Sequence, residues 1–127
     1  MYQSITRNIQ VQVQSEYVPE RSDPQNQFYF FVYHINIANE GAETVQLMSR
    51  HWIITDGNGH IEEVKGPGVV GKQPILEPGD NFQYTSACPL KTPMGSMQGT
   101  YQMKLDNEAL FDVEIPEFKL EPSYTLH

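Results

Sequence analysis

The sequence predicts an all-β protein, an antiparallel β-sandwich of about seven strands. Three observations carry that prediction. Apolar residues recur at every second position rather than at the spacing of a helix. Nine prolines are spread through the 127 residues and interrupt most windows in which a helix could form. Turn dipeptides fall between the alternating runs.

The elements follow in order. Ile9, Val11 and Val13 alternate with Gln10 and Gln12, which predicts a first strand over 5–17. Residues 18–27 are polar and carry Pro19 and Pro24, so they read as a surface loop. From 28 to 39 aromatic and β-branched residues occupy both alternate sets, as in a strand buried on both faces. Glu40-Gly41 turns the chain into a third strand, 44–55, whose Trp52 has the size to fill the space between two sheets. Asp56-Gly57-Asn58-Gly59 supplies the positive φ angles of a tight hairpin and leads into 60–65. Pro78-Gly79 precedes a strand over 81–88, and two more are expected over 98–105 and 109–117. The chain reads as a single domain, residues 1–127. Its core ends near 120, and 118–127 look like a loosely attached tail.

Composition excludes several classes. Sixteen Asp and Glu against eight Lys and Arg leave a formal charge of -8, which disfavours nucleic-acid binding through phosphate neutralisation. Five of those charges belong to residues 105–121, partly to the outer face of an amphipathic last strand. No apolar run approaches the ~20 residues of a membrane helix, so no membrane insertion is expected. The N-terminus has neither the apolar stretch nor the basic cluster of a signal peptide. The lone Cys88 permits no intrachain disulfide, which suits a reducing, cytoplasmic setting.

The motif with the most chemistry is Gly66-Pro67-Gly68-Val69-Val70-Gly71, which matches G-x-G-x-x-G. Pro74 and Pro78 follow too closely for the helix that a dinucleotide turn requires. What remains is a glycine loop whose N–H groups could form an anion nest, flanked by Lys65 and Lys72 with no acid between them. The candidate anion or pyrophosphate site is therefore Lys65, Gly66, Gly68, Val69, Val70, Gly71 and Lys72. The competing reading is a tight turn whose glycines serve only φ.

Other chemistry is thin. His34, His51, His60 and His127 form no ligand-spaced pair, and a metal site from Asp56, His60, Glu62 or Glu63 would have to assemble in space. No partner marks Cys88 as a nucleophile. Glu62 and Glu63 are adjacent, so a strand points them to opposite faces. No catalytic residue, resident metal or cofactor is expected.

Three ordered blocks resemble the ApaG family: Ser49 to Gly59, Val64 to Pro74, and Leu76 to Tyr101 with Leu76-Glu77-Pro78-Gly79-Asp80 and Cys88-Pro89-Leu90. The resemblance spans about residues 3–120. It implies an immunoglobulin- or fibronectin-III-like sandwich and an accessory role linked to cobalt resistance and magnesium efflux. It also implies that the glycine loop at Gly66, Gly68 and Gly71 is a proposed pyrophosphate motif. The expectation is a non-enzymatic module recognising a protein partner. The alternative is a protein that binds a phosphorylated small molecule, such as a dinucleoside polyphosphate, at 65–72. Direct Mg²⁺ or Co²⁺ binding would draw on Asp106 and Glu108, and strand edges could pair into a homo-oligomer.

Overall fold

The computed structural model describes residues 1–122, so the outer part of the expected tail, including His127, lies outside the described residues. Nine strands form: β1 (Tyr2–Thr6), β2 (Ile9–Tyr17), β3 (Tyr29–Asn39), β4 (Val45–Asp56), β5 (Ile61–Pro67), β6 (Ile75–Leu76), β7 (Asn81–Leu90), β8 (Gly95–Leu105) and β9 (Leu110–Leu120). They build an antiparallel sandwich. One sheet has the order β1-β2-β3-β7, the other β5-β4-β8-β9 with β6 paired to the start of β4.

The alternation in the sequence becomes the core. Val11, Val13, Phe31, Ile35 and Ile37 from one sheet face Leu47, Tyr101, Met103, Val113 and Ile115 from the other, all buried. Trp52 fills the centre at 3% exposure, with the rings of Tyr33, Tyr101 and Phe118 around it at 5.3–6.5 Å between centroids. Such tilted and edge-on pairs add to the area they bury.

Four expectations are corrected. The first predicted strand is two: Arg7 and Asn8 take φ of 48° and 66° and fold β1 back on β2. That is a two-residue turn with both central φ positive, and neither residue is the glycine that would have signalled it. β3 is buried on both faces only at its start, where Phe30 and Phe31 are both buried; further along, the second face opens, with His34 exposed and Asn36 half-buried. Residues 118–120 are no tail, since Phe118 and Leu120 are fully buried at the end of β9. Their inward set is offset from Val113 and Ile115 because β9 carries a bulge between the partners of Met97 and Gly99. Pro116 sits in that bulge, the place where a strand tolerates proline. Finally, β6 was not foreseen, and two residues are too few for a periodic signal.

The two long sides of the sandwich differ. On one side β1 and β2 close against the edge of β9 through hydroxyls. Ser4 Oγ donates to Glu114 O (2.8 Å), Ser15 Oγ donates to Lys119 O (2.7 Å), and Glu114 N–H donates to Thr6 Oγ1 (3.1 Å). On the opposite side lie β5 and β7, each paired on one edge only.

Candidate functional site

The glycine motif begins inside β5, where Gly66 stands opposite Arg50 and Pro67 opposite Ser49. Gly68 N–H donates to Met48 O (2.9 Å), and Val69 and Lys72 exchange backbone hydrogen bonds at 2.8 and 2.9 Å. Val70 and Gly71, at φ 44° and 79°, form the two-residue tip. The motif is therefore a hairpin pinned to the sheet. Val69 is its plug, buried to 1% in the core, while Val70 is exposed. Most of its N–H groups are spent on the sheet and the hairpin, and those of Val70 and Gly71 remain at the tip beside Lys72.

Each motif glycine has a separate local reason. Gly71 supplies the positive φ of the turn. At Gly68, φ is 61° and an added Cβ would collide with the Lys72 carbonyl. At Gly66 an added Cβ would come 3.1 Å from both terminal nitrogens of Arg50.

Arg50 was not among the expected site residues. A bulge in β4 at Met48 shifts the register between Leu47 and Ser49, so Leu47, Arg50 and Trp52 all lie on the inner face. The side chain runs across Gly66, and Nη1 donates to Pro67 O and Gly68 O, both at 2.9 Å. The only signal in the sequence was the parity change at Met48, which no residue type announces.

Inside the sandwich from Arg50 lie three buried phenols, Tyr33, Tyr84 and Tyr101. The Tyr84 and Tyr101 hydroxyls hydrogen-bond each other. Burial raises the pKa values of Tyr33, Tyr84 and Tyr101, and the charge of Arg50 works against that rise in all three. Burial pushes the Cys88 thiol up to about 12, with Glu62 contributing, so it holds no reactive thiolate near neutral pH. A hollow of ≈ 150 Å³ between Glu62, His60 and Leu90 marks the far end of the cleft.

β7 forms the other lip. Asn39 N–H donates to Asp80 O (2.9 Å) where β3 meets β7, and Glu40 N–H donates to Asn8 O (2.8 Å) where β3 meets β2. Hydrogen bonding alternates along each ladder from these anchors. Gln83, Thr85, Ala87 and Pro89 thus turn their backbone groups to the free side. Pro89, with no N–H, suits an edge. None of the ten residues of β7 is charged. β5, by contrast, carries Glu62, Glu63 and Lys65, the usual protection of an edge.

The outer face beside β7 is paved with carboxamides. Gln3, Gln12, Asn36 and Gln83 stand abreast across all four strands. A shallow groove of ≈ 400 Å³ runs over this face past His34 and Thr85.

The remaining candidates have local partners. His34 Nδ1 bonds Thr85 Oγ1 and His51 Nε2 bonds Glu63 Oε1, both at 2.8 Å. Asp56 Oδ1 accepts the N–H groups of Asn58 and His60 within its turn. Lys104 Nζ lies 3.9 Å from Glu108, and Asn107 Oδ1 accepts the Ala109 N–H. Among the described residues no three His, Cys, Asp or Glu side chains converge as metal ligands.

Comparison with known proteins gives a consistent answer. The family model described as the ApaG domain matches residues 19–105. Protein ApaG of Brucella anthropi is 54% identical over 121 residues, 95% of this chain and 93% of its own length. Protein ApaG of Beijerinckia indica is 51% identical over 125 residues, covering 98% and 96%. The crystal structure of an ApaA protein from Bordetella pertussis superposes with a TM-score of 0.89 at 51% identity, covering 92% of this chain and 95% of that one.

Proposed function

The chain belongs to the ApaG family, and from that premise we propose that it is a non-enzymatic accessory protein that recognises a protein partner by taking an extended segment onto the free edge of β7. The observation that carries this reading is the edge itself: ten residues without a charge, with the backbone groups of Gln83, Thr85 and Ala87 turned outward. Such an edge is a template for strand addition, and natural proteins otherwise block it. An incoming strand would gain backbone hydrogen bonds from these residues and lie flush with the carboxamide row.

An accessory role fits the cobalt-resistance and magnesium-efflux link implied by the family resemblance. No helix among the described residues is long and apolar enough to cross a membrane, so on this reading the chain acts on transport through a partner. Burial keeps the Cys88 thiol protonated, so it does not serve as a thiolate nucleophile near neutral pH.

The test is a backbone edit on the free side. Ala87→Pro removes only an outward N–H, at an exposed position. We expect it to change stability by less than about 1 kcal/mol and to abolish stoichiometric capture of the partner from native extract. Ala87→Val keeps the N–H and should capture as well as the native chain. Equal capture by the proline variant would rule out strand addition here.

A second reading places a phosphorylated small molecule at residues 65–72. Lys65, Lys72 and Arg50 lie on or against the hairpin, and among the described residues no carboxylate comes within 4 Å of any of them. The Val70 and Gly71 N–H groups at the tip add donors.

A further inference from the structure

We propose that Arg50 is the receptor of an oxyanion site in the cleft between β5 and β7, holding a phosphate or carboxylate on the Nε–Nη2 edge of its guanidinium. The proposal rests on the second reading above and moves the decisive charge from the flanking lysines to a residue inside the cleft.

Four observations support it. First, Arg50 is committed at one nitrogen only: Nη1 binds the Pro67 and Gly68 carbonyls. Those two bonds fix the guanidinium plane and leave the fork of Nε and Nη2, the geometry that accepts two oxygens of one anion. Second, the free donors are not sealed in. Arg50 is half-buried, yet no buried side-chain nitrogen among the described residues lacks a partner. Its remaining N–H groups are therefore open to solvent, and to a ligand. Third, the charge is uncompensated within a chain of -8. Glu62, the acid on the same inner face of β5, is four residues from Gly66, about 13 Å along the strand. Fourth, the titratable groups that feel the Arg50 charge across the interior are Tyr33, Tyr84 and Tyr101, which burial keeps neutral, so they do not repel an anion.

Gly66 gains a role from this arrangement. Its missing side chain is the space the guanidinium occupies. Pre-organisation by two carbonyls also lowers the entropy lost when an anion binds.

The direct test is NMR of the arginine Nε–Hε groups in the native protein at constant ionic strength. Inorganic phosphate, pyrophosphate and acetate are titrated separately, with chloride as the control. We expect the Arg50 Nε–Hε signal to shift and saturate with at least one of the three. Saturation by phosphate or pyrophosphate but not acetate assigns a phosphoryl ligand; the reverse assigns a carboxylate. Arg50→Lys, which keeps the charge and loses the fork, should weaken binding at least about tenfold. Lys65→Gln with Lys72→Gln should weaken it less than about threefold, as expected for exposed charges. Saturable shifts at residues 69–72 with a silent Arg50 signal, and native affinity in Arg50→Lys, would overturn the Arg50 assignment and leave the hairpin reading standing. No saturable shift at Arg50 Nε–Hε or anywhere in 65–72 at ~10 mM anion, about the weakest affinity worth assigning to a site, would remove both. Because Nε–Hε is read in the native chain, the result does not depend on any variant folding.

Discussion

The Gly99→Ala variant is expected to be unfolded under conditions in which the native protein is folded. Gly99 faces Trp52 in β8, at the point where the β9 bulge draws the strands together. A Cβ there would fall inside the van der Waals shell of the His51 carbonyl oxygen and lie 3.2 Å from the Trp52 Cα. Both neighbours are backbone of the central strand β4, so no side-chain rotation relieves the clash. Separating β4 from β8 would also lift Trp52 from the rings that surround it. We expect a loss above about 4 kcal/mol, the range reserved for such backbone conflicts, against a total of about 5–15 kcal/mol for a domain. Gly71→Ala is the control. Nothing lies within 4 Å of its added Cβ, and only the φ of 79° is unfavourable. Its cost should stay near 1–2 kcal/mol. Denaturant titration of both variants measures the difference; a Gly99→Ala protein as stable as Gly71→Ala would contradict the packing described here.

Alkaline pH is expected to unfold the protein steeply. Tyr33, Tyr84, Tyr101 and Cys88 all have folded-state pKa values raised above their ordinary values of 10.0 and 9.0, in each case chiefly by burial. The stability held by keeping them neutral is complete below those ordinary values. It drains as pH rises, because the unfolded chain loses the protons first. Each group costs about 1.4 kcal/mol per pH unit once its unfolded form is ionised. Tyr84, Tyr101 and Cys88 acting together cost about 4 kcal/mol per unit between about pH 10 and 12, with Tyr33 adding in the same direction, enough to exhaust a typical domain. Denaturation midpoints should therefore be flat from about pH 7 to 9 and fall sharply above 10. Two of the seven tyrosines, Tyr84 and Tyr101, should yield phenolate absorbance only when the fold breaks. Smooth titration of all seven near pH 10 with the fold intact would contradict the burial of the cluster.

The fold was legible wherever alternation ran unbroken. Tyr33, Ile35 and Ile37, or Val11 and Val13, declare their inward face because a strand has period two. It was illegible wherever one extra residue reversed that parity. The bulge at Pro116 hid the last turn of β9 and made Phe118 and Leu120 look like tail. The bulge at Met48 turned Arg50 inward, and nothing in residue type foretells it. The glycine motif was visible as a motif, but its meaning depends on contacts. Gly66 makes room for Arg50, Gly68 for the Lys72 carbonyl, and Gly71 for a turn, three reasons that the spacing cannot distinguish from a phosphate loop. The open edge of β7 was illegible for another reason. Which strands lie at the rim is a property of topology, and only the lack of charge from Asn81 to Leu90 could be read in advance.

Amide hydrogen exchange along β7 reads directly whether this edge is free and whether a partner strand covers it. In the isolated chain Tyr84, Ser86 and Cys88, bonded to β3, should exchange slowly, while Gln83, Thr85 and Ala87 should exchange rapidly. On addition of the captured partner, those three should become slow, with β5 unchanged. Uniform slow exchange along β7 in the isolated chain would mean that the edge is already covered. Protection appearing elsewhere while Gln83, Thr85 and Ala87 stay fast would mean that the partner docks on another surface. Either result would contradict recognition by strand addition.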